Sequence, residues 1–401
     1  MDGVTQCSIL LGQSFQYKYS TNDQSGTYWY HSHYAMQYGD GLKGVLIIKD
    51  PKDPWEMFYQ DEEILQLTDW YHTPAHIHLK SYLYPGILDA IPDTALFNGI
   101  GQYDCDLNKK CSFYRISIKS SQTKRFRIIN TSVYATITLT IDQHDMRLIE
   151  IDGIYLNGNK YVKTLRLNPG QRYSALITGK TNINSSINLF DNNQSITTGQ
   201  MYSDELELVP MKSKVPIKSN VRRLMFNSQH KGSQPGHFYL NNKTFVHPTN
   251  TSLLALLLHK NFQELSLSSI VYIENNEIID MIINNIDFAP HPFHLHGHHV
   301  WVLAQGNTND GYLNETTLET IDLNLNNPIY RDTFTVNPYS YIIVRFKADN
   351  PGIWMLHCHN DRHLQLGMVL VFVESPQYIK DFYSKQNLIN HIPLKCEHHS
   401  K

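Results

Sequence analysis

The stretch NPGIWMLHCHNDRHLQLGM, residues 350–368, sets His357, Cys358 and His359 side by side and follows them with His363 and Met368. Alternate side chains of a strand face opposite ways, so His357 and His359 look to one side and Cys358 to the other. One short strand would then serve two metal sites. The His-X-His spacing recurs at His31 and His33 in YHSH, and at His294 and His296 in HPFHLHGHH, where His291 stands three residues ahead. Three such pairs can converge six imidazoles, a set suited to a metal cluster that binds dioxygen. The remaining donors, His291, Cys358, His363 and Met368, are two imidazoles, a thiolate and a soft thioether. That is the donor list of a blue-copper electron-transfer centre. Because Cys358 lies between His357 and His359, a covalent bridge between the two sites comes with the sequence. His72, His76 and His78 in DWYHTPAHIH, with His144, His230, His237 and His299, read as surface or hydrogen-bonded residues instead.

Such a constellation needs strands to hold it, and the chain is rich in them. SFQYKYST, GTYWYHSH and LKGVLIIKD read as strands that stop at Pro51. A prolyl, charged linker follows, and ILQLTDWYH opens a second block that continues through FYRISI, KRFRIIN, ATITLTID and QRYSALITG to about Leu208. These short alternating or apolar runs, divided by Gly, Pro and Asn turns, carry the pattern of a β-sandwich. PMKSKVPIKSN is the next linker. A third block runs from about Val221 to Val373, with one helix expected at NTSLLALLLHKN, where Asn250 or Thr251 would cap. The expected architecture is all-β: tandem Greek-key sandwiches in which the first is incomplete. The division expected is 1–58, 59–210, 221–385 and a tail 386–401.

Bulk properties exclude some classes of function. Among 401 residues, 34 Lys and Arg against 37 Asp and Glu leave a formal charge of -3, no field for nucleic acid. No apolar run approaches the ~20 residues needed to span a bilayer. MDGVTQC shows no charged head and apolar core of a signal peptide. Asn-X-Ser/Thr sequons at Asn130, Asn184, Asn193, Asn242, Asn250 and Asn314 nevertheless point to the secretory pathway.

GTYWYHSH, HPFHLHGH and HCHNDRHLQLGM together resemble three copper motifs of the multicopper oxidases, the family of laccases, ascorbate oxidases and ferroxidases. The resemblance implies cupredoxin-like domains and copper as cofactor. His291, Cys358 and His363 would hold a type 1 copper with Met368 axial; His294 would serve the type 2 copper. His31, His33, His296, His357 and His359 would serve the type 3 pair. Two further histidines of a first His-X-His-Gly motif would precede DGVTQC in the family, so a full complement of four coppers is expected only with that motif. Asn360 and Arg362 also depart from the family pattern, which usually has an apolar residue after the second histidine of HCH. The resemblance implies disulfides Cys105–Cys111 and Cys7–Cys396, with Cys358 left as the thiolate, and an extracellular or secretory location for the full-length protein.

The implied activity is one-electron oxidation of a small reductant coupled to four-electron reduction of dioxygen to water. Electrons would enter at His291 or His363 and leave through the Cys358 sulfur towards His357 and His359. An axial Met368 should lower the potential relative to Leu or Phe. Phenolic or aminophenolic reductants are the leading class. Asp287, four residues before His291, offers a ferroxidase alternative, with Asp89 as a second acid. Asp40 is the candidate carboxylate for proton delivery. A third reading is a non-catalytic copper-binding remnant, separated from the oxidase by the coding sequence upstream.

Overall fold

The computed structural model describes the chain apart from residues 1–2, 85–89, 106–110, 112–113, 181–186, 192–204, 219, 231–235, 249, 260–268 and 397–401. Gly26–His31 and Lys43–Ile48 pair antiparallel as a two-stranded sheet, with Tyr28 opposite Leu46. An eight-stranded sheet follows, built around Asp61–Trp70, Thr123–Asn130, Arg172–Thr178 and Met146–Ile151. A three-stranded sheet centred on Ile137–Ile141 covers it. The alternation seen in the sequence is the reason: Leu65, Leu67, Phe126, Ile128 and Ala175 of one sheet meet Ile137, Leu139, Leu165 and Leu167 of the other in a single buried core.

The last block repeats the plan. A six-stranded sheet carries Val221–Gln229, Ile278–Asn285, Ser340–Lys347 and Val300–Gln305, and a five-stranded sheet carries His291–Leu295, Thr333–Val336, Gly352–Cys358 and Val369–Glu374. Ile279, Met281, Ile283, Val344 and Phe346 pack on Phe293, Leu295, Phe334, Leu356, Leu370 and Phe372. The fold is mostly β, as expected.

Three local expectations need correction. SFQYKYST forms no strand: its residues are exposed, with Phe15, Tyr17 and Tyr19 more than half exposed, and no described strand lies alongside to bond its backbone. FYRISI is likewise irregular over residues 114–118, although Ile116 and Ile118 pack against the core. The expected helix is present at Leu253–His259, but its cap is Ser252, whose Oγ accepts the Ala255 N–H at 3.1 Å. Two more of its first-turn N–H groups, on Leu253 and Leu254, donate to the carbonyls of Gly3 and Val4, so the start of the chain closes the helix end.

Both disulfides are formed, Cys7–Cys396 with Cα atoms 5.5 Å apart and Cys105–Cys111 at 6.0 Å; Cys358 is buried and belongs to neither. No described helix is long and apolar enough to cross a membrane.

A buried charge network locks the blocks together. Glu150, fully buried, accepts the Thr27 N–H at 2.7 Å and the Ser174 hydroxyl at 2.9 Å, and pairs with Arg125. Arg172 donates to both oxygens of Asp332 at 2.6 and 2.8 Å and to the Thr27 carbonyl at 3.1 Å. Arg331 reaches back to Asp152 at 2.8 Å. Thr27 of the first block thus bonds Glu150 and Arg172 of the second, while Arg172–Asp332 and Asp152–Arg331 tie the second block to the third, pairs that neither side could leave without stranding a charge.

Candidate metal centre

The register of two strands sorts the donors. His291–Leu295 pairs antiparallel with Gly352–Cys358, putting Phe293 opposite Cys358 and His294 opposite His357. His291, Phe293 and Cys358 therefore share one face of the sheet, and His294, His296 and His357 the other. A seven-residue strand and its neighbour feed two sites back to back.

On the first face, His291 Nδ1 and His363 Nδ1 lie 3.2 Å apart, and the Cys358 Sγ lies 3.6 Å from the former and 3.4 Å from the latter. All three residues are buried. Three donor atoms so evenly spaced, two imidazole nitrogens and one thiol sulfur, enclose a trigonal position of the kind copper occupies in blue-copper sites. His363 reaches it from the short helix Asp361–Gln365 rather than from a strand. Met368 is fully buried, its N–H donating to the His363 carbonyl at 2.8 Å and its carbonyl accepting the Cys358 N–H at 3.2 Å.

Asp287 completes this face. Its Oδ2 lies 3.0 Å from His291 Nε2, and its Oδ1 accepts the His230 N–H at 2.9 Å. Burial pushes the Asp287 carboxyl up, but hydrogen bonds from His291 and His230 outweigh it and hold the group below the usual carboxylate range. A carboxylate on the far nitrogen fixes both the tautomer and the aim of a metal-ligating imidazole. Asp89 lies outside the described residues. Around Asp287 the surface is aromatic: Phe288 is 63% exposed, Tyr339 donates its N–H to the Asp287 carbonyl, and Tyr339 and Tyr312 are also exposed.

On the second face six imidazoles come together. The Nε2 atoms of His296 and His357 are 3.1 Å apart, and ring nitrogens of His33, His296 and His357 all lie within 4.8 Å of one another. His294 sits 5.0 Å from His296 and 5.9 Å from His359 between ring centres; His31 lies 5.5 Å from both His33 and His359. Several rings are aimed by backbone carbonyls: His31 Nδ1 to Ser32 at 3.0 Å, His294 Nδ1 to Asp332 at 3.0 Å, His357 Nδ1 to Cys358 at 2.9 Å. Each of these bonds leaves Nε2 as the available donor. His359 Nδ1 is buried without a hydrogen-bond partner among the described residues, an orphan that a metal would satisfy. Burial, reinforced by neighbouring imidazoles, drives His31, His357 and His359 well below the ordinary histidine pKa, and burial lowers His294 as well. Neutral imidazoles are the form that binds metal.

The second block closes this pocket. A Cβ at Gly170 would stand 2.6 Å from His359 Cδ2, and Gly170 has φ +85, so only glycine lets its loop approach the ring.

Asp40, the carboxylate expected to deliver protons, is placed at the surface by the fold. Asp40 is exposed, and its Oδ1 accepts the Ala75 N–H at 2.8 Å, holding the start of a short helix. The buried acid is Asp361, two residues past His359. Its Oδ1 accepts from Gln365 Nε2 at 3.1 Å, and its Oδ2 has no hydrogen-bond partner among the described residues. Burial pushes its carboxyl up to about 6, against the pull of Gln365 and of the charges of His33 and Lys43. Its place two residues past the HCH motif, within HCHNDRH, was the available signal. His299 is occupied elsewhere, its Nε2 3.0 Å from the Asp152 carbonyl, and His72 pairs with Asp93 at 3.2 Å.

Comparison with known proteins agrees with this geometry. Multicopper oxidase family models match residues 1–53, 61–201 and 233–378. The chain is 32% identical to the iron transport multicopper oxidase fio1 of Schizosaccharomyces pombe, over 98% of its own length and 68% of the relative's. It is 33% identical to laccase-5 of Trametes villosa over 92% of the chain and 75% of the relative. The crystal structure of Fet3p, described as a multicopper oxidase that functions in iron import, superposes with a TM-score of 0.84 at 28% identity, covering 97% of this chain and 80% of that one.

Proposed function

The chain belongs to the multicopper oxidase family, copper-dependent oxidoreductases that use dioxygen, and from that premise we propose a division of labour among its residues. His291, Cys358 and His363 would hold one copper, with Met368 as a further soft donor. His294 would serve a type 2 copper, and His31, His33, His296, His357 and His359 a type 3 pair. The observation that carries this reading is the near-equal spacing of the two imidazole nitrogens and the Cys358 sulfur, 3.2 to 3.6 Å. When bound, copper would supply one-electron acceptance from a reductant and the means to pass four electrons to dioxygen.

The protein's own part is positioning. Cys358 and its neighbours His357 and His359 span the two sites through consecutive residues, giving the shortest covalent path between them. Asp287 orients His291. Asp361 is placed to hold a proton on its buried Oδ2, two residues past His359. We propose the division 1–58, 59–210, 221–385 and 386–401, which the grouping of strands into sheets supports for the first three segments.

For the reductant we favour a phenol or aminophenol. Both Asp287 oxygens already serve His230 and His291, while Phe288, Tyr312 and Tyr339 offer exposed rings beside the same carboxylate. Ring stacking of that kind is worth roughly 0.5–1.5 kcal/mol per pair. Ferrous ion is the second reading: an acid beside the electron-entry imidazole favours it, and the relatives named for iron transport accord with it. Two disulfides, with exposed sequons at Asn242 and Asn314, support an oxidising, secretory setting; Asn130 is buried and bonded to Ala135 and Leu167 carbonyls, so its sequon is closed.

Oxygen uptake by the copper-loaded chain with an aminophenol and with ferrous ion tests the proposal. Phe288→Ala should raise KM for the aminophenol by about two- to tenfold, the stacking term above, and leave ferrous ion unchanged. The reverse pattern, with Asp287→Asn raising only the ferrous KM, would assign the site to iron. Copper uptake without oxygen consumption would make the chain a copper-binding protein only.

A further inference from the structure

Arg362 stands between Asp361 and His363, on the short helix that delivers a donor to the thiolate site, and it is 4% exposed. Its guanidinium carbon lies 4.0 Å from the centre of the Tyr82 ring and 5.5 Å from that of Phe238. Phe238 in turn stacks on His363, centre to centre 3.9 Å with planes 27° apart. Tyr82 and Phe238 are themselves buried. The fixed charge therefore lies within about 10 Å of the His363 imidazole, against a ring that touches it.

Burying a cation is costly, and stacking on aromatic faces recovers only part of that cost. A guanidinium stays protonated at any pH a folded protein meets. A site that gains an electron loses one positive charge, so a fixed cation nearby favours the reduced state.

We propose that Arg362 is a positioning residue in the electrostatic sense: its buried charge, held beside His363 by Tyr82 and Phe238, raises the reduction potential of the His291–Cys358–His363 site. The inference rests on the copper reading above. It acts against the lowering expected of a Met368 donor and of the Asp287 carboxylate on His291, so the site is biased from opposite directions. At an effective dielectric near ~20 and a separation on the order of 10 Å, one charge shifts a one-electron equilibrium roughly tenfold.

The test is a redox titration of the blue absorption of the copper-loaded full chain against the hexacyanoferrate couple. For Arg362→Met and Arg362→Gln, the equilibrium constant for accepting an electron should fall about tenfold, or about 59 mV for one electron. Arg362→Lys, which keeps the charge but stacks poorly, should stay within about threefold of wild type, because the Coulomb term depends on charge and distance alone. A purely structural role predicts the opposite order, with Met close to wild type and Lys displaced. The inference fails if the Met and Gln variants keep a blue band and the wild-type potential, or if Lys falls as far as they do. A wild-type chain that develops no blue absorption with copper overturns the copper reading, and this inference with it.

Discussion

Arg172→Met is the sharpest perturbation of what holds the centre together. The guanidinium is 4% exposed and donates to both oxygens of Asp332, at 2.6 and 2.8 Å, to the Thr27 carbonyl at 3.1 Å and to the Gly170 carbonyl at 3.3 Å. Those four bonds reach the His31 strand, the loop against His359 and the carboxylate of the residue whose carbonyl aims His294. Methionine removes them all and leaves Asp332, 10% exposed, with the Thr333 hydroxyl at 2.8 Å and His294 Nδ1 at 3.7 Å. Asp152 keeps Arg331. Breaking one side of a buried ion pair costs about 3–5 kcal/mol, because the abandoned charge stays desolvated. Urea unfolding of the disulfide-intact, copper-free chain, followed by tryptophan fluorescence, should show that loss. Adding Asp332→Leu should recover at least half of it, since the stranded carboxylate is then gone. A loss below about 1 kcal/mol, the size of an exposed pair, would refute the reasoning. So would a double variant no more stable than the single one.

Other consequences can be checked separately. Gly170→Ala forces a left-handed φ on alanine at about 1–2 kcal/mol and drives its Cβ into His359. Metal analysis should find less copper per chain with the blue intensity of the Cys358 site unchanged. Ser252→Ala removes the cap of Leu253–His259 and should cost about 1 kcal/mol in urea unfolding, with copper content unaffected. Burial lowers the Lys43 ammonium from 10.5 to about 8, against the pull of Asp69 and Asp361. The unfolded chain then binds one more proton than the native one between those values, so native stability rises with pH through that window. Relative to Lys43→Met, wild type should gain on the order of 3 kcal/mol from pH 8 to above pH 10.5, measured by urea unfolding; a flat difference would contradict the buried placement.

Much of the centre was legible because strand alternation is a local rule. His-X-His and the interposed Cys358 dictate two faces whatever the rest of the chain does, and the register of Phe293 with Cys358 places them so. Short apolar runs were enough to anticipate the sandwiches for the same reason. What escaped depends on neighbours distant in sequence. SFQYKYST has strand composition, but strands exist only in pairs. Ser252 caps its helix because the Gly3 and Val4 carbonyls meet the same turn. Asp40 and Asp361 look alike in a sequence; one is exposed at a helix start and the other is buried two residues past His359. Phe238 and Tyr82 gave no sign that they would hold the Arg362 charge against His363, since only the fold brings residues so far apart into one stack.

The central claim is that one thiolate and two imidazoles form a copper site distinct from the six-imidazole cluster behind it. The most direct measurement is the visible and EPR spectrum of the copper-loaded chain beside that of Cys358→Ser, with copper counted in both. The account predicts an intense blue thiolate absorption in the wild type that vanishes in the variant, together with loss of one copper while cluster-bound copper remains. A wild type that binds copper without blue absorption, or a variant that keeps it, would contradict the account.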